Sequence, residues 1–206
     1  MSIGGSSIEQ ALATLSDMTA GAVPIGKEEH LQRIVKAQAF MRAQGIAAIY
    51  LNAGANLTYF TGTKWYASER MVGAILPANG ALEYIAPGFE ESTLKDYMLV
   101  DGHVNCWQEH ESPYRLFVDT LARMGIAADA AMPPRIGICE SAAFFIYDGI
   151  RPLADGYALE NAKTVTAWCR SKKSPAEIAL MQRAKDMTLA VHVATASMLR
   201  EGITTV

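Results

Sequence analysis

Apolar residues along this chain recur with two different periods, and the changes of period mark the predicted elements. Residues 28–44 repeat apolar side chains every three or four positions and are followed by Gly45, which predicts an amphipathic helix with a glycine stop. Residues 46–51 form a short, almost wholly apolar run that predicts a buried strand. The same patterns predict helices at residues 90–99, 114–124, 142–150 and 165–170, and strands at residues 103–107, 135–139 and 157–160.

Two further apolar runs, residues 71–76 and 81–86, flank the tripeptide Ala78-Asn79-Gly80. Asparagine and glycine adopt positive φ more readily than other residues, so this spacing predicts a β-hairpin. With the hairpin, the chain has six predicted strands interspersed with helices. That order predicts an α/β fold in which helices cover both faces of a mixed six-stranded sheet.

The two ends of the chain have contrasting patterns. Residues 1–26 are rich in Gly, Ser, Ala and Thr, which predicts a loose arm with one short helix near residues 8–15. Near the other end, Ser174, Pro175 and Glu177 form a capping-box pattern, which predicts a helix from Pro175 to a stop at Gly202. At about 1.5 Å per residue, a helix of roughly 26 residues extends for about 40 Å. Its apolar stripe requires a packing partner, either as an ordinary core helix or as a helix of a further domain. The stripe consists of Ile178, Met181, Ala184, Met187, Val191, Ala194 and Met198.

Composition excludes several functional classes. The 206 residues are 50% hydrophobic and 19% charged, enough to bury the core of one globular domain. A net charge of −3 lacks the electropositive footprint of nucleic-acid-binding proteins, so no nucleic-acid partner is expected. No apolar run approaches the roughly 18 residues needed to cross a bilayer, and the first positive side chain is Lys27, so no membrane association or signal peptide is expected. Three widely spaced cysteines suit a reducing compartment, and the protein is predicted to be cytoplasmic.

Polar side chains around the predicted strand 103–107 offer candidate chemistry. His103, Cys106 and His110 are metal-ligand types, but positions 103 and 106 of a strand point to opposite faces, which favours packing over a metal site. Glu109, His110 and Glu111 precede Ser112-Pro113, a sequence that favours a turn. The functional alternative there is a histidine that titrates between two carboxylates.

Cys139 comes where a predicted strand gives way to a helix, the position at which many α/β enzymes carry a nucleophile. It belongs to an alternating buried strand, however, and the glycine-flanked elbow of serine hydrolases is missing. A structural role is therefore predicted. Neither of the glycine-rich phosphate-binding patterns occurs in the sequence, so nucleotide binding is not expected.

The most informative stretch is NLTYFTGTKWYASERMVG, residues 56–73. Its first part is interpreted as a turn that precedes a strand. The stretch concentrates Trp65, Tyr66 and Arg70, residue types enriched in interface hot spots. Arg70 follows Glu69, so an exposed ion pair between neighbours is one interpretation. The planar guanidinium of an arginine also suits two-pronged binding of a carboxylate, which is the functional interpretation.

Three motifs resemble the amino-terminal domain of the creatinase/prolidase family, which includes Xaa-Pro peptidases and other "pita-bread" metallopeptidases. NLTYFTG resembles the family element N-x-x-Y-[LFY]-[TS]-G, carried here by Asn56, Tyr59, Phe60, Thr61 and Gly62. RIGICE, residues 135–140, resembles a late strand of that domain. KKSPAEIALMQRA, residues 172–184, resembles the start of the family's hydrolase domain. The resemblance extends over residues 28–206.

The resemblance implies a three-layer α/β/α, ribonuclease H-like fold and a division of the chain. Residues 1–26 would form an N-terminal arm, and residues 27–170 the creatinase/prolidase N-terminal domain. Residues 171–206 would be the linker and first helix of a C-terminal pita-bread hydrolase domain, most of which does not follow in this sequence.

The resemblance also implies a function for the parent protein, hydrolysis of a peptide or dipeptide before proline by a Xaa-Pro dipeptidase or aminopeptidase. Two divalent ions, of manganese, cobalt or zinc, would be held in the missing domain, where they would activate water. This chain is expected to contribute no catalytic residue, no metal ligand and no cofactor of its own, and to be inactive alone. Family members imply a homodimer.

In creatinase, an arginine at the offset of Arg70 reaches into the partner subunit and grips the substrate carboxylate. By resemblance, Arg70 would bind substrate in trans, and Trp65 or Tyr66 would supply an aromatic ring, as in Xaa-Pro peptidases. Ser68 stands where creatinase has a phenylalanine, which weakens a creatine-specific interpretation. The alternatives are a creatinase-like C–N hydrolase parent, a binding protein without metal ligands, and a stand-alone dimerisation or peptide-binding module.

Overall fold

The computed structural model describes residues 3–204 and divides into two compact units. Residues 26–172 form the larger unit, which contains the sheet. The smaller unit combines residues before 26 with residues after 172. In the described part of the chain, no helix combines the length and the apolar character needed to cross a membrane.

Within residues 3–204, six strands and seven α-helices follow one another up to residue 171, and an eighth helix comes last. The strands are β1 (Ile46–Asn52), β2 (Gly73–Pro77), β3 (Glu83–Pro87), β4 (His103–Trp107), β5 (Arg135–Ile138) and β6 (Ala158–Asn161). The helices are α1 (Ile8–Leu12), α2 (Lys27–Gln44), α3 (Ala55–Thr61), α4 (Glu91–Tyr97), α5 (Pro113–Arg123), α6 (Phe144–Ile150), α7 (Lys163–Ser171) and α8 (Pro175–Met198). Single 3-10 turns precede α4 and follow α6.

The six strands form one mixed sheet in the order β4-β3-β2-β1-β5-β6. The β2–β3 hairpin and the β1–β2 pair are antiparallel, and the other three neighbouring pairs are parallel. The predicted mixed six-stranded α/β fold is confirmed. In the hairpin turn Gly80 has a positive φ of 95°. Asn79 has a negative φ, although the sequence allowed a positive φ at both positions.

Each face of the sheet carries its own core, because successive side chains of a strand point to opposite faces. Ile49 and Leu51 of β1 belong to a cluster with residues of α2, α3 and α7. Ala48 and Tyr50 of the same strand belong to a second cluster with residues of α5 and α6. Helices therefore cover both faces, which gives the three layers expected.

The stretch interpreted as a turn is instead the helix α3, so that interpretation was wrong. Leu57 and Phe60, three positions apart, are both fully buried, which is helical spacing of core side chains. Gly54 at φ 115° precedes the helix and Gly62 at φ 74° ends it with its N–H bonded to the Thr58 carbonyl. The short length of α3 hid this periodicity in the sequence. A smaller correction concerns α5, which Ser112 caps and which begins at Pro113 rather than at residue 114.

In the smaller unit, α8 begins with the predicted capping box and ends at Met198, before the predicted stop. Residues between 4 and 20 are hydrogen-bonded to this helix. Gly4 N–H donates to the Ala196 carbonyl at 2.9 Å, and Arg183 Nη1 donates to the carbonyls of Met18 and Ala20, both at 2.7 Å. These bonds differ from the expected loose arm at residues 4–20, residues 1–2 of that arm lie outside the described residues, and the assignment of residues 1–26 to an N-terminal arm stays a prediction.

Candidate functional site

The loops discussed below meet at one edge of the sheet. Strands β1, β3, β4 and β5 all run in the same direction and end at this edge. Strand β2 runs in the opposite direction and begins there. The loop 62–72 leads into β2, residues 88–90 follow β3, residues 108–111 follow β4, and residues 139–141 follow β5. Ligands of open α/β sheets bind outside the carboxyl ends of the strands, so this edge is the place to look for a site.

A polar network centred on the buried side chain of Asn56 fastens α3 to the neighbouring elements. Its side-chain amide donates to Glu140 Oε1 at 2.9 Å and to the Cys139 sulfur at 3.1 Å, and its carbonyl oxygen accepts from Arg170 Nη1 at 2.7 Å. Asn56 is 2% exposed, so these contacts replace water almost completely. One side chain thereby connects α3, the end of β5 and α7.

Glu140 is the acidic member of the Asn56 network. Its oxygens also accept from the Thr166 hydroxyl at 2.9 and 3.0 Å. Burial by itself would raise the pKa of the Glu140 carboxyl, but the bonds from Asn56, from its own backbone and from Thr166, with the charge of Arg170, outweigh it and lower the pKa below its ordinary value. Glu140 is therefore held as a carboxylate that accepts hydrogen bonds.

Tyr59, on the same helix, joins α3 to α2 and α7. Its hydroxyl donates to the Cys169 carbonyl at 2.9 Å, while its own carbonyl accepts from His30 Nδ1 and from Arg33 Nη1, both at 2.9 Å. The Arg33 guanidinium also lies 4.1 Å from the centre of the Tyr59 ring. Burial lowers the pKa of His30, which favours a neutral imidazole with its proton on Nδ1. The motif NLTYFTG thus forms a structural anchor.

Beyond Gly62 the chain leaves this anchor and forms a loop, most of which is exposed after Thr63. Thr63 is fully buried, with its carbonyl bonded by the Thr58 hydroxyl at 3.0 Å. Trp65 is half-buried and lies edge-on to Tyr97 of α4, with ring centres 6.1 Å apart. Tyr66 is 92% exposed. Of the two predicted aromatic residues, Trp65 is therefore partly committed to packing, while Tyr66 projects into solvent.

Arg70 lies among side chains from three loops of the same edge. Its Nε donates to Glu109 Oε1 at 2.9 Å, its Nη1 pairs with Glu69, and its guanidinium lies 5.3 Å from the centre of the Phe89 ring. The hydrogen bond and charge of Glu109 raise the pKa of Arg70 above its ordinary value. The side chain keeps 37% of its surface exposed, so the cluster is open to solvent.

The loop returns to the sheet through a crowded point. Trp107 Nε1 donates to the Met71 carbonyl at 3.3 Å. A Cβ on Gly73 would come within 2.3 Å of the Leu51 carbonyl oxygen and 2.7 Å of the Tyr50 hydroxyl, so only glycine fits there. The start of the loop at Thr63 and its end at Gly73 are therefore both fixed, and the exposed residues lie between two rigid points.

Of the other candidates from the sequence, Cys139 is packed inside the structure, and the polar residues after β4 form a turn. Cys139 is 3% exposed and its sulfur lies 3.1 Å from both the Asn56 amide and the Ser141 hydroxyl, in agreement with the predicted structural role. Residues 108–111 form the predicted turn, with Glu111 N–H bonded to the Gln108 carbonyl at 2.7 Å. Among residues 3–204, no three His, Cys, Asp or Glu side chains are grouped so as to hold a metal ion.

Sequence reasoning missed two features of this edge. It did not foresee that Asn56 connects three elements, since Glu140 and Arg170 are distant from it in the sequence. It assigned Glu69 as the neighbour of Arg70 but missed Glu109 and Phe89. The signal available was the acidic group 109–111 after β4, which was interpreted only as a turn.

Comparisons with known proteins agree with this fold. The family model described as "Creatinase/Prolidase N-terminal domain" matches residues 33–172. An uncharacterized peptidase of Schizosaccharomyces pombe is 26% identical over 197 residues, which are 89% of this chain and 41% of that protein.

Solved structures of a prolidase and of a Xaa-Pro dipeptidase domain superpose on this chain. The recombinant prolidase of Thermococcus sibiricus superposes with a TM-score of 0.66 and 25% identity, over 76% of this chain and 41% of that one. The isolated N-terminal domain of a Xaa-Pro dipeptidase from Lactobacillus brevis superposes with a TM-score of 0.58 and 13% identity, over 68% of this chain and 99% of that domain. The chain thus spans 41% of the length of both longer relatives.

Proposed function

Since this chain belongs to the creatinase/prolidase N-terminal domain family, we propose that it is the non-catalytic N-terminal part of a Xaa-Pro dipeptidase or aminopeptidase. In this role it contributes to a homodimer and to substrate binding in the partner subunit. The observation that carries the proposal is the family match over residues 33–172 together with relatives that are named prolidase and Xaa-Pro dipeptidase.

The character of α8 supports a domain that continues beyond it. Only Ala194 of its 24 residues is buried, although apolar side chains of a helix are normally covered by a neighbouring element. The exposed apolar side chains include Ile178, Met181, Leu189, Val191 and Val193. We therefore assign residues 171–206 to the linker and first helix of a hydrolase domain, whose remaining elements would cover these side chains.

The two divalent ions of the proposed peptidase belong to that further domain. The described residues of this chain offer no cluster that fits a metal ion, so no step of the reaction is assigned to them. What this chain contributes is recognition. Arg70 presents an exposed guanidinium that matches a carboxylate, and Tyr66 presents an exposed aromatic ring on the same loop.

Subunit complementation in the full-length protein tests the role in trans. Arg70→Ala subunits would be mixed with subunits whose metal ligands in the second domain are substituted, and dipeptide hydrolysis would be measured after subunit exchange. Each parent homodimer should be impaired. In the mixed dimer, the intact metal centre of one subunit would face the intact Arg70 of the other, so activity should return toward one quarter to one half of wild type.

Light scattering on the same samples supplies the control, because complementation requires a dimer. If the mixed dimers form but stay as inactive as the parents, Arg70 acts in its own subunit or not at all. If the full-length protein is strictly monomeric, the proposal of binding in trans is overturned. If metal-loaded full-length protein fails to cleave any Xaa-Pro peptide, the peptidase assignment itself is overturned.

A further inference from the structure

The guanidinium of Arg70 is already engaged by carboxylates of its own chain. Glu109, thirty-nine positions away in the sequence, accepts from Nε at 2.9 Å, and Glu69 pairs with Nη1. Glu109 is a carboxylate, the same group that a peptide presents at its C-terminus. A substrate carboxylate that binds Arg70 with two prongs through Nε must therefore compete with this internal one.

Glu109 is presented by a defined turn rather than by a free loop. Gln108 N–H donates to Glu111 Oε2 at 2.8 Å, and Glu111 N–H donates back to the Gln108 carbonyl at 2.7 Å. The turn also packs against the segment that carries Phe89, since a Cβ on Gly88 would lie 2.5 Å from Gln108 Nε2. The carboxylate and the ring that face Arg70 therefore come from two turns in contact with each other.

The pair is exposed enough to exchange. The side chains of Arg70 and Glu109 are 37% and 58% exposed, and exposed ion pairs of this kind are weak because water competes for both charges. Such a pair orients the guanidinium while the site is empty and opens at small cost when another carboxylate arrives. A buried pair would instead hold the arginine permanently.

We propose that Glu109 is a positioning residue that acts through Arg70, by occupying the guanidinium as a built-in competitor of the substrate carboxylate. This inference rests on the proposed function of Arg70. It makes Glu109 a determinant of specificity, since only ligands whose carboxylate displaces Glu109 gain the two-pronged contact through Nε of Arg70. Ligands without a carboxylate would leave the pair between Glu109 and Arg70 in place.

Glu109→Gln tests the inference because it removes the competing charge and keeps the shape. In the full-length protein, the KM for a Xaa-Pro dipeptide should fall roughly two- to five-fold with kcat unchanged, the range expected for release of one exposed ion pair. The KM for the corresponding dipeptide amide, which has no terminal carboxylate, should not change. Glu111→Gln is the matched control, because it removes the same charge from the same turn, and Glu111 pairs with the Gln108 backbone rather than with Arg70.

A second measurement uses the 206-residue chain itself. The Nε–H resonance of Arg70, assigned by its loss in Arg70→Lys, should shift in Glu109→Gln and stay in place in Glu111→Gln. An equal response to both substitutions would show that no specific pair exists in solution and would overturn the inference.

The kinetic results separate this inference from the proposed function. If Arg70→Ala leaves the KM of dipeptide and dipeptide amide in the same ratio as in wild type, Arg70 does not bind the substrate carboxylate, and the proposed role fails together with the inference. If Arg70→Ala weakens only the dipeptide, while Glu109→Gln behaves like Glu111→Gln, the role of Arg70 stands and the competition by Glu109 is overturned.

Discussion

Two polar clusters built around arginine and glutamate lie in or beside residues 56–73, and they differ in burial. In the Asn56 network, Glu140 and Arg170 meet through an amide that is 2% exposed. In the Arg70 cluster, the charged groups meet at a surface that stays open to water. The same residue types therefore have different roles in the two clusters. The Asn56 network stabilises the fold, whereas the Arg70 cluster remains available to a ligand.

The physical reason is the cost of an unpaired polar group. Asn56 is inside the protein, where a donor or acceptor that loses its partner cannot turn to water, so its side chain depends on the hydrogen bonds with Glu140, Cys139 and Arg170. At the surface, water replaces a lost partner, so the contacts of Arg70 can exchange without loss of the fold. Substitutions in the two clusters should therefore separate stability from recognition.

The largest effect is expected for Asn56→Ala. The substitution removes one acceptor and one amide donor group, so Arg170 loses its hydrogen bond of 2.7 Å and Glu140 loses its hydrogen bond of 2.9 Å to this side chain. We expect the free energy of unfolding to fall by about 2–4 kcal/mol. Urea denaturation followed by circular dichroism measures it, with the exposed turn residue Asn79→Ala as a control. A loss as small as that of the control would mean that the network contributes nothing to stability.

A smaller effect, with a defined pH dependence, is expected for Glu140→Gln. The folded state lowers the pKa of Glu140, so its contribution is complete above the ordinary carboxyl pKa and disappears as the pH falls through the lowered value. The variant should be less stable than wild type at pH 7 by about 1 kcal/mol, since partial exposure screens the charge. This difference should shrink as the pH falls below about 4. Unfolding curves measured from pH 7 down to pH 3 test it, and a constant difference would contradict the assignment.

The smallest effect on stability is expected for Tyr66→Ser in the exposed loop. Its side chain is 92% exposed and should change the free energy of unfolding by less than about 0.5 kcal/mol. In the full-length protein, the same variant should raise the KM for a Xaa-Pro peptide, because a ring is lost from the proposed recognition surface. A marked loss of stability with no change in KM would show that Tyr66 stabilises the fold and does not belong to a recognition surface.

Much of the fold could be predicted from local patterns. The glycine stop of α2, the β2–β3 hairpin, β4 and the capping box of α8 lie where the sequence predicts them. These elements are set by interactions within a few residues, such as helix caps, turn glycines and alternation of side chains. The exception, α3, is a single short helix whose few residues give too little periodicity to be distinguished from a turn.

For the candidate site, the sequence alone determined which residue types are concentrated near residues 65–70 and that Glu69 adjoins Arg70. Only the tertiary structure decided which distant side chains meet them. Glu109 and Phe89 reach Arg70 because parallel β3 and β4 end at the edge where antiparallel β2 begins. Likewise, Asn56 is a structural residue because β5 and α7 bring Glu140 and Arg170 to it. Such contacts join positions far apart along the chain, and they arise from strand pairing and burial, which no local pattern encodes.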